Sequence, residues 1–565
     1  MILATAVWVY VSVLSLAYGL ALIAFLRRAW GLADEPPPIA IVCLIGLAVI
    51  GVLAGALSLF VPIGLFANVL LLLGALAAAW RIGPDFRYCL AAAHAGRRSV
   101  SPVVGLLAAG AVLVTLERAT ETPLVGDTGL YHGQAIRWIE ELGVVPGLGN
   151  LHARFAIDSV WFVLEALFGF SSLGFGPLHA LNGWLSLCLI SFLFLGVNEL
   201  LVGRRSASGW AKLILLACWL PLVAGFISSP TPDLAVTVVL WLAFLLAYDA
   251  AEDEGSIALH EWAPVLAVIA TFAVLIKVSA APAMLLTIPV LVGAWRSGKP
   301  RALLVAALIA AMVIPLELRQ LVLSGYPLFP LPDLDPFDFD WQMPRAAVLN
   351  IAGWIRSWAR MPGRRPEEVL QMQLWEWLPS WIERLRNADR VLLIAIPLAA
   401  SVLGARRLLR GRFTRPTPRL WVDATLAAGV AYWFVLAPDP RFGLGFFPVL
   451  GAVLVARVLA PGLARLPAAA ISMALGAVLV AEVGTLYRSH PAAIASLAVR
   501  VLRPAPYRVE PTEEAKGTNF TVLIPRRGDC CWYDPFPCTP YRPDANLERR
   551  GTGWGAGFRT TGSPH

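Results

Sequence analysis

The stretch Glu121-Thr-Pro-Leu-Val-Gly-Asp127-Thr-Gly-Leu-Tyr131-His132-Gly-Gln-Ala-Ile-Arg137-Trp-Ile-Glu-Glu-Leu-Gly143 decides how the chain is read. It is a short polar island between segments apolar enough to cross a bilayer. Tyr131, Ala135, Trp138 and Leu142 recur at helical spacing, while Arg137, Glu140 and Glu141 fall off that stripe. The pattern predicts an amphipathic helix lying flat on a membrane surface. Gly143, which tolerates a positive φ, and Pro146, which cannot continue a helix, close it. Asp127 then stands at the N-terminal end of that helix, at the boundary of water and membrane. Two readings stay open for it. One is an N-cap, accepting a hydrogen bond from a free N–H of the first turn; the other is a general base in a site facing the interface.

The composition around the island excludes a soluble protein. Of 565 residues, 58% are hydrophobic and 15% charged, and the mean hydropathy is +0.70. About fourteen windows are apolar and long enough to span hydrocarbon, which predicts an all-α polytopic membrane protein. Residues 158–173 are apolar but short and read as interfacial or re-entrant. The chain divides into N-terminal transmembrane helices (1–100), a transmembrane core (101–318) holding the outer loop 118–157, a large outer loop (319–389), C-terminal transmembrane helices (390–486) and a small outer appendage (487–565).

Orientation follows the basic residues of short loops, which stay on the cytoplasmic side. Arg27 and Arg28 follow the first span, which places the N-terminus outside. Alternation then puts Arg81, Arg87, Arg97, Arg98, Arg204, Arg205, Lys212, Arg296, Lys299, Arg301, Arg406 to Arg419, Arg457 and Arg465 inside. The net charge of +8 is accounted for largely by these loops, which removes nucleic acid as a partner. One loop, 249–261, dissents by carrying Asp249, Glu252, Asp253, Glu254 and Glu261 without a base.

Several polar residues fall on the outer side with the island. Asn150, His152 and Arg154 follow it in a glycine-punctuated stretch and suit sugar hydroxyls or a phosphate, or are ordinary loop residues. Asp233 closes the turn Ser228-Ser-Pro-Thr-Pro232 and is a second carboxylate or a helix cap. Lys277 interrupts an apolar run and marks an anionic ligand or snorkels to headgroups. Arg441, in Asp439-Pro440-Arg441-Phe-Gly, offers a planar fork to a pair of phosphate oxygens or to lipid headgroups. The outer loop carries two Trp-lined stripes, around Trp354 and around Trp377, of the kind that roofs a site from the interface. Among the cysteines, Cys43, Cys89, Cys188 and Cys218 are apolar fillers. Either Cys530 or Cys531 pairs with Cys538 in an oxidising compartment, leaving one thiol; no His accompanies them at zinc spacing.

Together these features resemble the GT-C superfamily of membrane glycosyltransferases, which use sugars carried on polyprenyl phosphates. The resemblance lies in Asp127-Thr-Gly-Leu-Tyr-His132-Gly-Gln-Ala-Ile-Arg-Trp-Ile in the first large outer loop, in Asp233 in the next short outer loop, and in Arg441 before a late span. The Pro-Gly-Leu-Gly-Asn and Pro-Asp-Pro-Arg-Phe-Gly motifs and the Cys-bearing tail are similar to those of an uncharacterised bacterial family of multi-spanning membrane proteins. The resemblance implies a GT-C-like fold, an active site on the extracytoplasmic face of a bacterial inner membrane, Asp127 as base, and Arg441 and Lys277 at the lipid phosphate. Asp233, His132, Asn150, His152 and Arg154 would line the substrate. It leaves a divalent metal open as cofactor, since many members have paired acids where Asp127 is followed by Thr128, and it leaves the glycan, lipid or protein acceptor open. A lipid-linked glycan polymerase or ligase, using Arg356, Arg360, Arg364 and Arg365, and a transporter or flippase are the alternative readings.

Overall fold

The computed structural model describes all residues except 33–36, 84–99, 254–261, 289–290, 293–294, 296–298, 410–417, 490–495 and 562–565. Arg87, Cys89, Arg97, Arg98, Glu254, Glu261, Arg296 and the middle of the basic run 406–419 therefore lie outside the described residues. The chain is helical almost throughout. Ten of the described helices are long and apolar enough to cross a membrane: α1 (Ile2–Trp30), α2 (Ile39–Leu57), α4 (Pro102–Ala119), α7 (Leu181–Leu201), α8 (Ala207–Val223), α9 (Pro232–Asp253), α11 (Lys299–Ser324), α14 (Asn387–Leu409), α15 (Pro418–Leu436) and α17 (Ala468–Ser489). The chain is thus a multi-pass membrane protein. Shorter apolar helices lie between them: α3 (Leu65–Arg81), α6 (Val160–Gly169), α10 (Ala263–Ile276), a 3₁₀ segment (Val278–Thr287) and α16 (Phe447–Leu463). They fill four of the windows read as spans from hydropathy, because apolar composition does not distinguish a crossing from a shorter buried helix.

Helix α9 is the central pillar, nearly all of it buried. Asp233 sits at one end and Asp249 about 24 Å away along the axis, close to the depth of the hydrocarbon. At the far end two of the dissenting acids, Asp249 and Glu252, are matched. Asp249 accepts from Lys212 Nζ and Ser208 Oγ, both at 2.6 Å, and Glu252 accepts from the Ser208 N–H at 3.3 Å. Beside them Arg457 meets Asp423 at 2.5 Å.

Two expectations change at the island. Helix α5 (Gly133–Leu142) forms where the periodicity puts it and ends at Gly143, whose φ is +77°. However, its apolar stripe faces protein rather than lipid: Trp138 is fully buried against Phe536, Trp554 and Phe558, with ring centroids 4.8–6.1 Å away. Helix α6 is buried at every residue, so it is a packing helix inside the bundle rather than an interfacial one. Just before it, Asp158 holds Arg319 of α11 in a bidentate pair at 3.0 and 3.1 Å. Helix α11 thus continues into what reads from sequence as outer loop. Arg319 is 1% exposed and Asp158 7%, so Arg319→Ala strands a buried carboxylate. It is expected to destabilise the fold by about 3–5 kcal/mol, read as earlier thermal melting of the purified protein; unchanged melting would contradict the pairing.

Residues 319–389 include α12 (Arg345–Arg360) and α13 (Leu374–Arg384), matching the two Trp-lined stripes, while 326–341 contains no helix. The tail folds as two antiparallel hairpins, β1 (Thr512–Lys516) with β2 (Thr521–Pro525) and β3 (Leu547–Arg549) with β4 (Phe558–Thr560). It is not a separate appendage: Phe558 N–H donates to Pro146 O at 2.9 Å and Trp532 N–H to Gly129 O at 2.8 Å. Tail aromatics take up the face of α5 that lipid was expected to cover.

Candidate active site

Asp127, Asp233, Lys277 and Arg441 come together at the island end of the bundle. Arg441 Nη1 lies 2.6 Å from Asp127 Oδ2, across 314 positions of sequence, and 3.8 Å from Asp233 Oδ2. Lys277 Nζ donates to Asp233 Oδ1. Both cations flank the ring of Phe442, at 3.7 Å for Lys277 and 4.9 Å for Arg441, a contact that favours cations out of bulk water.

Each charge is delivered by a break in regular structure. Asp127 precedes a five-residue π turn, Thr128–His132, and its side chain makes no capping bond. The capping reading is therefore replaced by the ion pair, since the carboxylate is turned away from the first-turn N–H groups and onto the guanidinium. Asp233 is in the first turn of α9. Lys277 is the extended residue between α10 and the 3₁₀ segment. Arg441 lies in the single turn Pro440–Gly443, capped by Asp439, which accepts from the Arg441 N–H at 3.1 Å. Tryptophans from the roof and from α15 pin that turn: Trp381 Nε1 donates to Pro438 O at 2.5 Å and Trp433 Nε1 to Asp439 O at 2.6 Å.

The electrostatics follow from this packing. Burial pushes the Asp127 carboxyl up, but Arg441, with His132 and Arg154, outweighs it and holds the group below its ordinary value. Burial also raises the Asp439 carboxyl. Burial opposes the charge of Arg441, yet Asp233, Asp127 and Asp439 together raise its pKa. His132 is pushed down to about 4 by burial, so it is a neutral imidazole at physiological pH, with Nδ1 3.5 Å from Thr128 Oγ1. Arg441 Nε makes no hydrogen bond although it is buried; Asp439 Oδ2 is 3.4 Å away. One donor of the fork is therefore unmet. Arg441 and Lys277 stand among three carboxylates, so an anion reaches the Arg441 fork only by displacing one of them.

Asn150, His152 and Arg154 separate in role. Asn150 donates to Trp341 O at 2.8 Å and accepts from Thr560 Oγ1 at 3.1 Å, so its amide joins the 319–389 segment to the tail and is not free for a substrate. His152 packs edge-on to Phe155 and Tyr541 and burial lowers it to about 3. Arg154 is in electrostatic reach of Asp127 and Tyr541. Cys531 and Cys538 form a disulfide and Cys530 is a free thiol. Among the described residues no group of three or more His, Cys, Asp or Glu is arranged to hold a metal ion; the acids converge on cations instead. Sequence reasoning missed Asp439 and Phe442, although both stand in the quoted Pro-Asp-Pro-Arg-Phe-Gly motif, two residues before Arg441 and one after it.

A second polar contact ties the tail to α5. Tyr533 donates to Glu140, whose carboxyl burial pushes up to about 7 from 4.5. A carboxyl raised on folding lends stability that is present below its unfolded value and lost as pH rises through about 7. The melting temperature is therefore expected to fall between about pH 5 and pH 8, and Glu140→Gln to flatten that fall. An equally steep fall in the variant would assign it to another group.

Fold and site together define a mostly helical, multi-pass membrane protein with a salt-bridged charge cluster at one end of its helix bundle. The chain belongs to the family described as Domain of unknown function (DUF8201), whose model matches residues 1–448. No curated protein and no solved structure matches it.

Proposed function

We propose that the protein is a GT-C-like integral membrane glycosyltransferase that moves a sugar from a polyprenyl-phosphate donor to an acceptor hydroxyl. On this reading it sits in the inner membrane of a bacterium with the cluster on the extracytoplasmic face. The four shorter apolar segments that hydropathy reads as spans, α3, α10, the 3₁₀ segment and α16, add to the ten long helices to give about fourteen crossings. The observation that carries the reading is the Asp127–Arg441 pair at 2.6 Å, a base and an anion acceptor held side by side at a helix end.

The chemistry follows from exchange of partners. A lipid-linked phosphate entering the cluster competes with Asp127 for Arg441, whose unmet Nε supplies a further donor. Once Arg441 turns to the phosphate, Asp127 loses the charge that held its carboxyl low and becomes a stronger base. Asp127 takes the proton of the acceptor hydroxyl, the hydroxyl oxygen bonds to the anomeric carbon, and the bond from that carbon to the phosphate oxygen breaks. The electron pair leaves on the phosphate, where Arg441 and Lys277 stabilise it.

The cluster lies at helix ends rather than midway along spans, which favours this reading over a transporter or flippase. Of the arginines a polymerase or ligase would use, Arg360 is placed over the ring of Trp377 in α13. The test is incubation of protein in nanodiscs with a panel of polyprenyl-phosphate sugars and sugar or lipid acceptors. Release of polyprenyl phosphate is expected; the absence of release from every donor would overturn the proposal.

A further inference from the structure

Residues 530–541 lie beyond the part of the chain matched by the family model, yet they rest against the turn that carries Asp127. Trp532 N–H takes the carbonyl of Gly129 at 2.8 Å, within the π turn Thr128–His132. Gly129 and Gly133 lack side chains where the tail needs the space. A Cβ at Gly133 would meet Trp532 O at 2.6 Å, and one at Gly129 would meet Trp532 Cε2 at 2.9 Å and Cys530 Sγ at 3.0 Å. Gln134, fully buried, reads the loop closed by the Cys531–Cys538 disulfide. Its Nε2 faces Tyr533 O and Pro535 O, both at 3.0 Å, and its Oε1 accepts from the Cys538 N–H at 2.9 Å. Trp532 itself adopts a left-handed backbone, φ +54°, which a bulky residue keeps only where its surroundings hold it.

We propose that the disulfide-closed loop Cys531–Cys538 is a strap that positions the Asp127-bearing turn, with Gln134 as its receptor, so that the charged site is assembled only in the oxidised chain. Gln134 is a positioning residue: it touches none of Asp127, Lys277 or Arg441 and acts through the π turn. The opening is a two-electron step. A dithiol gives two electrons and two protons to the Cys531–Cys538 bond, yielding two protein thiols and the oxidised dithiol. The loop can then spread, and the carbonyls of Tyr533 and Pro535 leave Gln134. Helical π turns recur at functional sites, and here an external N–H occupies one of the turn's own carbonyls.

The strap rests on contacts alone; only its kinetic consequence rests on the transferase reading. The test is amide hydrogen exchange on the full chain in nanodiscs, for wild type, wild type treated with dithiothreitol, Cys531→Ser/Cys538→Ser, and Gln134→Leu. Cys530→Ser, which keeps the disulfide, sets the background. Exchange over 128–134 is expected to quicken about tenfold or more in all three perturbed samples while α9 stays protected. Two results overturn the strap: unchanged exchange over 128–134 when the loop itself exchanges faster, or equal loosening of α9, which would make the disulfide a staple of the whole fold. Where wild type transfers sugar, Gln134→Leu is expected to lower kcat about tenfold or more with KM for the lipid donor within about twofold, the split of a misplaced base rather than a lost binding contact. If wild type transfers none, the transferase reading fails while the exchange data still judge the strap.

Discussion

Asp127→Asn is expected to lower sugar transfer by about 10²–10⁴-fold, the range for loss of a general base. Asparagine keeps the size and one oxygen but cannot take a proton from the acceptor. The ion pair it removes is part-exposed, with Asp127 25% and Arg441 22% accessible, so the fold is expected to survive and protein to remain in the membrane at wild-type amounts. Transfer at the wild-type rate would remove Asp127 from the chemistry. The variant also carries a less obvious expectation. With the competing carboxylate neutralised, Arg441 is freer to meet an anion, so phosphate binding should hold or improve while turnover is lost.

Arg441→Ala is the second large effect and differs in kind. It leaves Asp127, Asp233 and Asp439 crowded around Lys277, and stranding these part-buried carboxylates costs about 1–3 kcal/mol of stability. The variant should therefore melt earlier as well as fail to transfer. Arg441→Lys separates the two consequences: it restores a positive charge among the acids but not the planar fork, so stability should recover further than turnover. Equal recovery of both would mean that charge alone matters at this position.

The charged members of the cluster were legible in the sequence because an ionisable group is conspicuous in an apolar chain. Asp127, Asp233, Lys277 and Arg441 each interrupt or border a span, and burying them near one another is less costly than leaving any of them alone. Asp439 and Phe442 were on view in the same motif as Arg441, but the motif was read for its cation only. The tail was not legible as part of the site. Trp138 and its stripe announce an apolar partner, and nothing in a periodicity says whether that partner is lipid or the chain's own Phe536 and Phe558. Gly129 and Gly133, four residues apart on the island, were the available signal that a backbone approaches there. Asn150 looked free for a sugar because an amide advertises hydrogen bonding without naming its partner, which is the 319–389 segment and the tail.

The pairing of Asp127 with Arg441 is the feature on which the account stands, and direct binding of a short-chain polyprenyl phosphate to the protein in nanodiscs addresses it without requiring turnover. Losing a charge-assisted contact of about 1.5–3 kcal/mol predicts that Arg441→Ala binds about ten- to a hundredfold more weakly than wild type, while Asp127→Asn binds at least as tightly. Wild-type affinity in Arg441→Ala, in protein shown to be folded, would contradict the account.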